Sequence, residues 1–513
     1  MERLAGRERL VNPVFNQKEL IKEQFMSKTV DFSTKLIIGG RPLLGSEGKT
    51  FETINPANGK VLASIAEASG EDVNKAVSAA RKAFEEGPWS KMAPAERKKV
   101  LLRFATVIEA HAEELAMMEA MEAGKPITDC LEIDMPETVN TIRWHAEAID
   151  KLYDQISPSD PSILSMIVRE PMGVVAAILP WNFPAMMAAW KLGPILATGN
   201  TVVLKPAEQT SLSTIRIGEL AAEAGIPDGV INVVCGFGET VGKALGEHPD
   251  VDCVAFTGST ETGRMFLRYS ADTNLKRVLL ECGGKNPFIV MGDTEDLDTA
   301  ADHATNSIFW NMGENCSSNS RLLVHQSIKD ELLELIVEKS KEWVVGDPLD
   351  ASTKIGPMIE QAHLDKVMGF IDQANQDKNK LVIGGKRTRE DTGGYFVQPT
   401  IFDDVKPENT IFSEEVFGPV LGITSFKDPE EGIALANQNK YGLAASVFTS
   451  SNKTAHVAAR KIKAGTVAVN CYGEGDITTP FGGYKLSGFG GRDKSLAAHD
   501  QYCELKTIWI DLT

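Results

Sequence analysis

The chain has no apolar run long enough to cross a bilayer, and nothing in residues 1 to about 30 forms the apolar centre that a signal peptide needs. That opening stretch mixes both charges (Arg3, Arg7, Glu8, Arg9, Lys18 and Glu19) and reads as a short helical extension. The seven cysteines, at 130, 235, 253, 282, 316, 471 and 503, are odd in number and show neither CxxC nor Cys/His spacing. That pattern excludes a disulfide frame and a zinc site, so we expect no metal and reduced thiols in a cytoplasmic compartment. There is no surplus of positive charge either. A net charge of −18 argues against nucleic acid or an anionic membrane as partner. Internal repeats and low-complexity tracts are absent.

What remains is an ordinary globular composition, 42% hydrophobic and 24% charged, on 513 residues. A chain of that length outgrows a single core, so two or three domains are expected. Ser69, with Asp72 following, predicts a capped helix carrying Val73, Ala76, Val77, Ala80 and Phe84 on one face, stopped by Gly87-Pro88. A longer helical stretch is expected from about Pro94 to Ala123. From Gly173 the texture changes. The runs Val174 to Leu179, Thr201 to Leu204, Ile231 to Val234, Val251 to Phe256 and Val278 to Leu280 are apolar without polar alternation. Such runs suit strands buried on both faces, and their alternation with helices predicts a parallel sheet. Sheets of this kind bind ligands beyond the carboxyl ends of their strands, and Asn182, Lys205 and Gly258 each follow such a run. Ser162 to Arg169 and Leu505 to Leu512 read as extended segments outside this pattern, with Ile508, Ile510 and Leu512 on one face.

The chemistry concentrates around Cys316, in Phe309-Trp310-Asn311-Met312-Gly313-Glu314-Asn315-Cys316-Ser317, and Glu281, in Leu279-Leu280-Glu281-Cys282-Gly283-Gly284-Lys285. A thiol needs activation to be a nucleophile, and a thioester needs an activated water to be hydrolysed. Alone, a cysteine is more often packing and a glutamate more often solvated. Their company is Pro180-Trp181-Asn182-Phe183-Pro184, Lys205-Pro206-Ala207-Glu208 and Phe256-Thr257-Gly258-Ser259-Thr260-Glu261-Thr262-Gly263. With these motifs the chain closely resembles the NAD(P)-dependent aldehyde dehydrogenase superfamily, from about Lys35 to the last residue.

That resemblance implies an α/β fold: a Rossmann-like cofactor domain (residues 20–150 and 171–282), a second α/β catalytic domain (283–490) and a small β oligomerisation domain (151–170 and 491–513). Residues 1–19 are left as the extension. It implies Cys316 as nucleophile, Asn182 as oxyanion donor together with the Cys316 backbone N–H, and Glu281 as general base. It implies NAD as cofactor, held through Trp181, Lys205, Glu208, Gly258, Ser259, Gly263, Glu415 and Phe417. A carboxylate on the ribose would disfavour a 2′-phosphate, leaving NADP as a weaker substitute. Gly236-Phe237-Gly238-Glu239-Thr240-Val241-Gly242 has one residue too many for GxGxxG, so we expect only Gly238 to approach the adenosine. Phe183, Trp190, Asn315 and Phe481 match positions at the aldehyde funnel. Cys282 and Cys253 read as packing. Where this family often has glutamine the chain has Glu314, which we expect to point away from the sulfur, since a carboxylate beside it would raise the thiol pKa.

The ending Glu504-Leu505-Lys506-Thr507-Ile508-Trp509-Ile510, with Arg492-Asp493-Lys494-Ser495, looks most like the branch acting on amino- and guanidino-aldehydes of polyamine breakdown, which includes gamma-glutamyl-gamma-aminobutyraldehyde dehydrogenases. Glu474 and Asp476 could meet a cationic or amide tail, or form a solvated loop. A broad-specificity enzyme for unsubstituted or aromatic aldehydes, an acylating enzyme using coenzyme A, and a non-catalytic NAD-binding protein are the rival readings. The expected assembly is a homodimer or homotetramer.

Overall fold

The computed structural model describes residues 31–513 except Glu474. The expected N-terminal extension and the loop carboxylate Glu474 therefore lie outside the described residues. Where the apolar runs were read as buried strands, strands form. Val174–Ile178, Thr201–Lys205, Ile231–Val233, Cys253–Gly258 and Arg277–Cys282 pair in parallel, and their side chains are almost all buried. They form the centre of an eight-stranded sheet whose edges are antiparallel: Leu36–Ile38 and Arg41–Leu43 on one side, Gly488–Phe489 on the other. The last of these returns from beyond the second sheet to pair with Leu280 and Glu281.

The parallel part of this sheet starts at Val174–Ile178, runs outward through Thr201–Lys205 to Ile231–Val233, and then crosses to Cys253–Gly258 on the opposite side. A reversal of this kind opens a crevice at the carboxyl ends of the two strands that flank it. The segment after Ile178 and the Gly258-Ser259 turn meet there.

Two helices lie where one long stretch was expected. Pro94–Ala110 and Ala112–Glu122 are separated at His111, which leaves helical geometry (φ −110°, ψ 15°) and turns its Nδ1 to the Val107 carbonyl at 2.9 Å. The helix Gly70–Glu85 carries the expected cap: Ser69 Oγ accepts from the Asp72 amide, and Asp72 Oδ2 accepts from the Ser69 amide at 2.9 Å.

A second sheet of seven strands runs in the order Lys380–Ile383, Thr400–Asp403, Val420–Phe426, Arg321–His325, Pro287–Val290, Ala444–Phe448, Thr466–Val469. Every pair in it is parallel except the first. Each of the two large sheets has its own apolar core. A third, antiparallel sheet joins Cys503–Asp511 to Ile163–Pro171, with Gln155–Ile156 beyond. Leu505, Trp509 and Ile510 on its terminal strand, and Leu512 just past its end, are exposed, while Ile508 is half-buried; this is an apolar edge of the kind that seeks a partner.

Candidate active site

A cavity of about 260 Å³ opens between the carboxyl ends of the first sheet's strands and loops of residues 310–493, and its wall includes Asn182, Glu281 and Cys316. Each arrives from a different element. Asn182 follows the strand Val174–Ile178, and Glu281 sits near the end of Arg277–Cys282. Cys316 follows a turn in which Asn311 (φ 50°), Met312 (φ 59°) and Gly313 (φ 70°) are successively left-handed. Such a run is costly for non-glycine residues and needs outside support. Asn311 supplies it, donating from Nδ2 to the carbonyls of Glu314 (3.0 Å) and Asn182 (3.3 Å). At Gly313 a Cβ would fall 2.3 Å from the Gly418 carbonyl, so only glycine lets the cysteine turn approach the Glu415–Gly418 loop.

Cys316 stands apart from the other cysteines: it is partly exposed at the cavity, whereas Cys130, Cys235, Cys253, Cys282 and Cys503 are buried and Cys471 is on the surface. Cys282 also reaches the wall, but burial, with Glu281 beside it, pushes its thiol up to about 12. Burial does the same to Cys253. Asn182 donates from Nδ2 to the Glu314 carbonyl at 2.9 Å, which uses one of its two N–H groups. Glu314 itself turns its carboxyl to the Ile359 amide (3.1 Å) and lies 3.5 Å from His363 Nε2. Burial holds that carboxyl well above its usual range, and it is not part of the cavity wall that Cys316 lines.

Glu281 is buried, and its Oε2 has no hydrogen-bond partner among the described residues. Burial and then the Asp493 charge hold it well above the usual carboxylate range, against opposing effects from Lys191, Arg492 and the Gly483 amide. Lys191 and Asp493 form a buried ion pair, Nζ to Oδ2 2.6 Å. Sequence reasoning missed both. The available signal was Lys191 itself, a lone charge in the otherwise apolar helix Pro184–Ala197.

Of the residues expected to hold NAD, Trp181, Gly258, Ser259, Glu415 and Phe417 line the cavity, while Lys205, Glu208, Gly238 and Gly263 do not. Ser259 caps the helix Thr260–Asp272, its Oγ accepting from the Thr262 amide, so that helix points its N-terminus toward the cavity wall. Gly263 packs that helix tightly; a Cβ there would lie 3.3 Å from Cys282 Sγ. Beyond the neighbouring strand, Lys205 Nζ meets Glu208 at 3.3 Å and the Pro206 carbonyl at 2.9 Å. A Cβ on Gly242 would reach the Lys205 side chain at 3.9 Å, whereas one on Gly238 would meet open space. Glu415 accepts from the Gly284 amide at 2.8 Å, and burial raises it to about 7. Phe417 is left-handed (φ 60°), and its carbonyl is held by His363 Nε2 at 2.7 Å. The Trp181 ring lies edge-on to both Phe417 and His363 at 5.3 Å. His363 and Lys366, also in the wall, were not anticipated.

The funnel residues Phe183, Trp190, Asn315 and Phe481 all reach the cavity, joined by Met186, Met187 and Trp310. Phe183 tilts against Trp310 at 5.4 Å and Trp190 meets Phe481 edge-on at 5.2 Å. Asn315 donates to the Tyr472 hydroxyl at 2.9 Å. Asp476 is exposed, outside this wall, and accepts from the amide and hydroxyl of Thr478 in its own turn.

Residues 44–508 match the aldehyde dehydrogenase family. The chain belongs to that family. It is 54% identical to the aminoacetaldehyde dehydrogenase of Pseudomonas aeruginosa over 494 residues, 96% of this chain and 99% of that protein. It is 48% identical to the NADP/NAD-dependent aldehyde dehydrogenase PuuC of Escherichia coli over 478 residues, 93% of this chain and 96% of PuuC. The solved structure of a gamma-glutamyl-gamma-aminobutyraldehyde dehydrogenase from Burkholderia cenocepacia superposes with a TM-score of 0.93 at 47% identity, covering 97% of this chain and 99% of that one. The chain is thus an aldehyde dehydrogenase by family. No described helix is long and apolar enough to cross a membrane.

Proposed function

We propose that this aldehyde dehydrogenase oxidises an aldehyde with a polar far end (amino, guanidino or gamma-glutamylamino) to its carboxylic acid, using NAD and a thioester on Cys316. The observation that carries the reading is the meeting of Cys316, Asn182 and Glu281 in one cavity. The Cys316 sulfur attacks the carbonyl carbon. The remaining N–H of Asn182 and the Cys316 backbone N–H stabilise the oxygen as it gains charge. NAD, when bound, accepts the hydride that leaves that carbon. Glu281 then takes a proton from the water that attacks the thioester, releasing the acid and restoring the thiolate. Burial and the Asp493 charge raise the Glu281 carboxyl, and Lys191 opposes them.

The residues present fit NAD. Ser259, Gly258 and Gly263 shape a helix N-terminus suited to the pyrophosphate, and Gly263 packs closely against Cys282 and Leu280. Lys205 and Glu208 would take a ribose, and the Glu208 carboxylate disfavours a 2′-phosphate, so NADP serves less well. Gly238 would lie by the adenosine, and Trp181, Glu415 and Phe417 on the nicotinamide side. The catalytic thioester cycle with a water-activating base speaks against coenzyme A as acyl acceptor. Similarity to proteins named for aminoacetaldehyde and gamma-glutamyl-gamma-aminobutyraldehyde favours the polar-ended substrates over a broad-specificity reading. Phe183, Trp190, Trp310 and Phe481 give the cavity an aromatic wall for the carbon chain of such a substrate.

The same reading has the chain work in the cytoplasm as a homodimer or homotetramer built on Cys503–Asp511, with residues 283–490 as the catalytic unit, 20–150 and 171–282 holding NAD, and 151–170 with 491–513 forming the assembly.

The test is a comparison of kcat/KM for aminobutyraldehyde-type substrates and unsubstituted aldehydes of equal length, at low and high salt. Higher efficiency with the amino substrates is expected. Equal or better efficiency with the plain aldehydes at both salts would reduce the protein to a general aldehyde dehydrogenase.

A further inference from the structure

Behind the Asn182 loop, away from the cavity wall, lies a charged cluster that takes no part in the chemistry above. Glu119, Lys125 and Asp134 are each 1% exposed or less. Lys125 Nζ sits 2.6 Å from Asp134 Oδ2. One Glu119 oxygen, one Asp134 oxygen and the Cys130 sulfur lie within 4.8 Å of one another. Glu119 Oε2 and Asp134 Oδ1 have no hydrogen-bond partner among the described residues. The helical run that carries Cys130 and Asp134 is wound as a π-helix over Cys130–Asp134, a distortion that is rare and gathers at functional sites.

The cluster touches the segment after Ile178 at three successive places. Lys125 Nζ donates to the Asn182 carbonyl at 3.3 Å. The same ammonium lies over the Phe183 ring, 3.7 Å from its centre. Glu119 Oε1 accepts from the Ala185 amide at 2.6 Å, in the first turn of the helix Pro184–Ala197. Asn311, in the turn before Cys316, donates to the same Asn182 carbonyl at 3.3 Å.

We propose that Lys125 is a positioning residue for the oxyanion step: paired with Asp134 and backed by Glu119, it fixes Asn182 and Phe183 from behind. This rests on the reading of Asn182 as the oxyanion donor. With its carbonyl held by Lys125 and Asn311, and one side-chain N–H bound to the Glu314 carbonyl, Asn182 has a single N–H left to offer, in a fixed direction. Fixed donors are the source of oxyanion stabilisation, because nothing must reorganise as charge develops. The ammonium also places a positive charge just behind that donor, in a region where water does not screen it.

Stability alone is a poor reason for such a cluster. Burying an ion pair costs desolvation, and apolar replacement is often neutral or better. A metal is no better a reading, since a cation among Glu119, Cys130 and Asp134 would meet the Lys125 ammonium already beside Asp134. The charges are consistent with a standing cation. Burial pulls Lys125 down, but Asp134 and Glu119 outweigh it and its pKa is raised. Burial, and Asp134 beside it, push Glu119 up to about 8; burial raises Asp134 as well, against the Lys125 ammonium, which lowers it.

The test compares Lys125→Met, the double variant Lys125→Met/Asp134→Leu, and Asn182→Ala in the full-length protein. The readouts are the rate constant of the first-turnover NADH burst, the NAD dissociation constant by fluorescence titration, and the rate of Cys316 alkylation by iodoacetamide. Both Lys125 variants should slow the burst roughly ten- to a hundredfold, with NAD affinity and alkylation unchanged. The double variant removes both charges together and should keep a near-wild-type melting temperature, which separates positioning from folding. A wild-type burst in the double variant would overturn the proposal, as would its failure to fold. A wild-type burst in Asn182→Ala would instead remove the oxyanion reading on which it rests.

Discussion

Lys191 and Asp493, 302 residues apart in the chain, form a buried 2.6 Å ion pair beside the Glu281 carboxyl. The pair acts on Glu281 in opposite senses: the Asp493 charge raises its pKa and the Lys191 charge lowers it. The Glu281 carboxyl is therefore set by two residues far from it in sequence, one of which, Asp493, also lines the cavity.

Asp493→Asn gives that tuning a direct readout. The amide keeps an acceptor for Lys191 but loses the charge that raises Glu281, while the lowering influence of Lys191 remains. A carboxylic acid works as a base only above its pKa, so turnover limited by thioester hydrolysis rises with pH through that value. The rising limb of kcat should move to lower pH in Asp493→Asn, by about one unit. A limb that stays put or moves upward would show that Asp493 does not act on Glu281.

On the proposed reading, in which the sulfur makes the covalent bond and Lys205, Glu208 and Ser259 hold the cofactor, Cys316→Ala should abolish NADH formation and leave NAD binding nearly intact. Activity with aldehyde is followed by NADH absorbance, and NAD binding by fluorescence titration. Residual activity above about a tenth of wild type would point to another nucleophile.

Removal of residues 505–513 takes away the exposed Leu505, Trp509, Ile510 and Leu512 along with most of the strand that pairs with Ile163–Pro171. Light scattering should then show aggregation or smaller species, since the partner strand loses its cover. An oligomer of unchanged mass would place the assembly surface elsewhere.

Much of this was legible in the sequence because burial on both faces leaves a simple mark. The parallel strands of the first sheet appear as unbroken apolar runs. Their ends were not legible: Lys205, Thr257, Gly258 and Glu281 read as turn or site residues, yet each continues its strand. The break at His111 has no glycine or proline to announce it. Gly488–Phe489 is too short to read as a strand. The partners Lys191, Asp493, Lys125, Asp134 and His363 were invisible for a different reason. Each gains its meaning from a residue distant in sequence, and a single charge in an apolar helix says only that some partner exists.

The thioester cycle is tested most directly by rapid mixing of Glu281→Gln with NAD and excess aldehyde, followed by intact-mass measurement. One equivalent of NADH per active site should form quickly, after which turnover stalls with the acyl group retained on Cys316, because loss of the base slows water attack far more than hydride departure. Full steady-state turnover without an accumulated acyl adduct would contradict it.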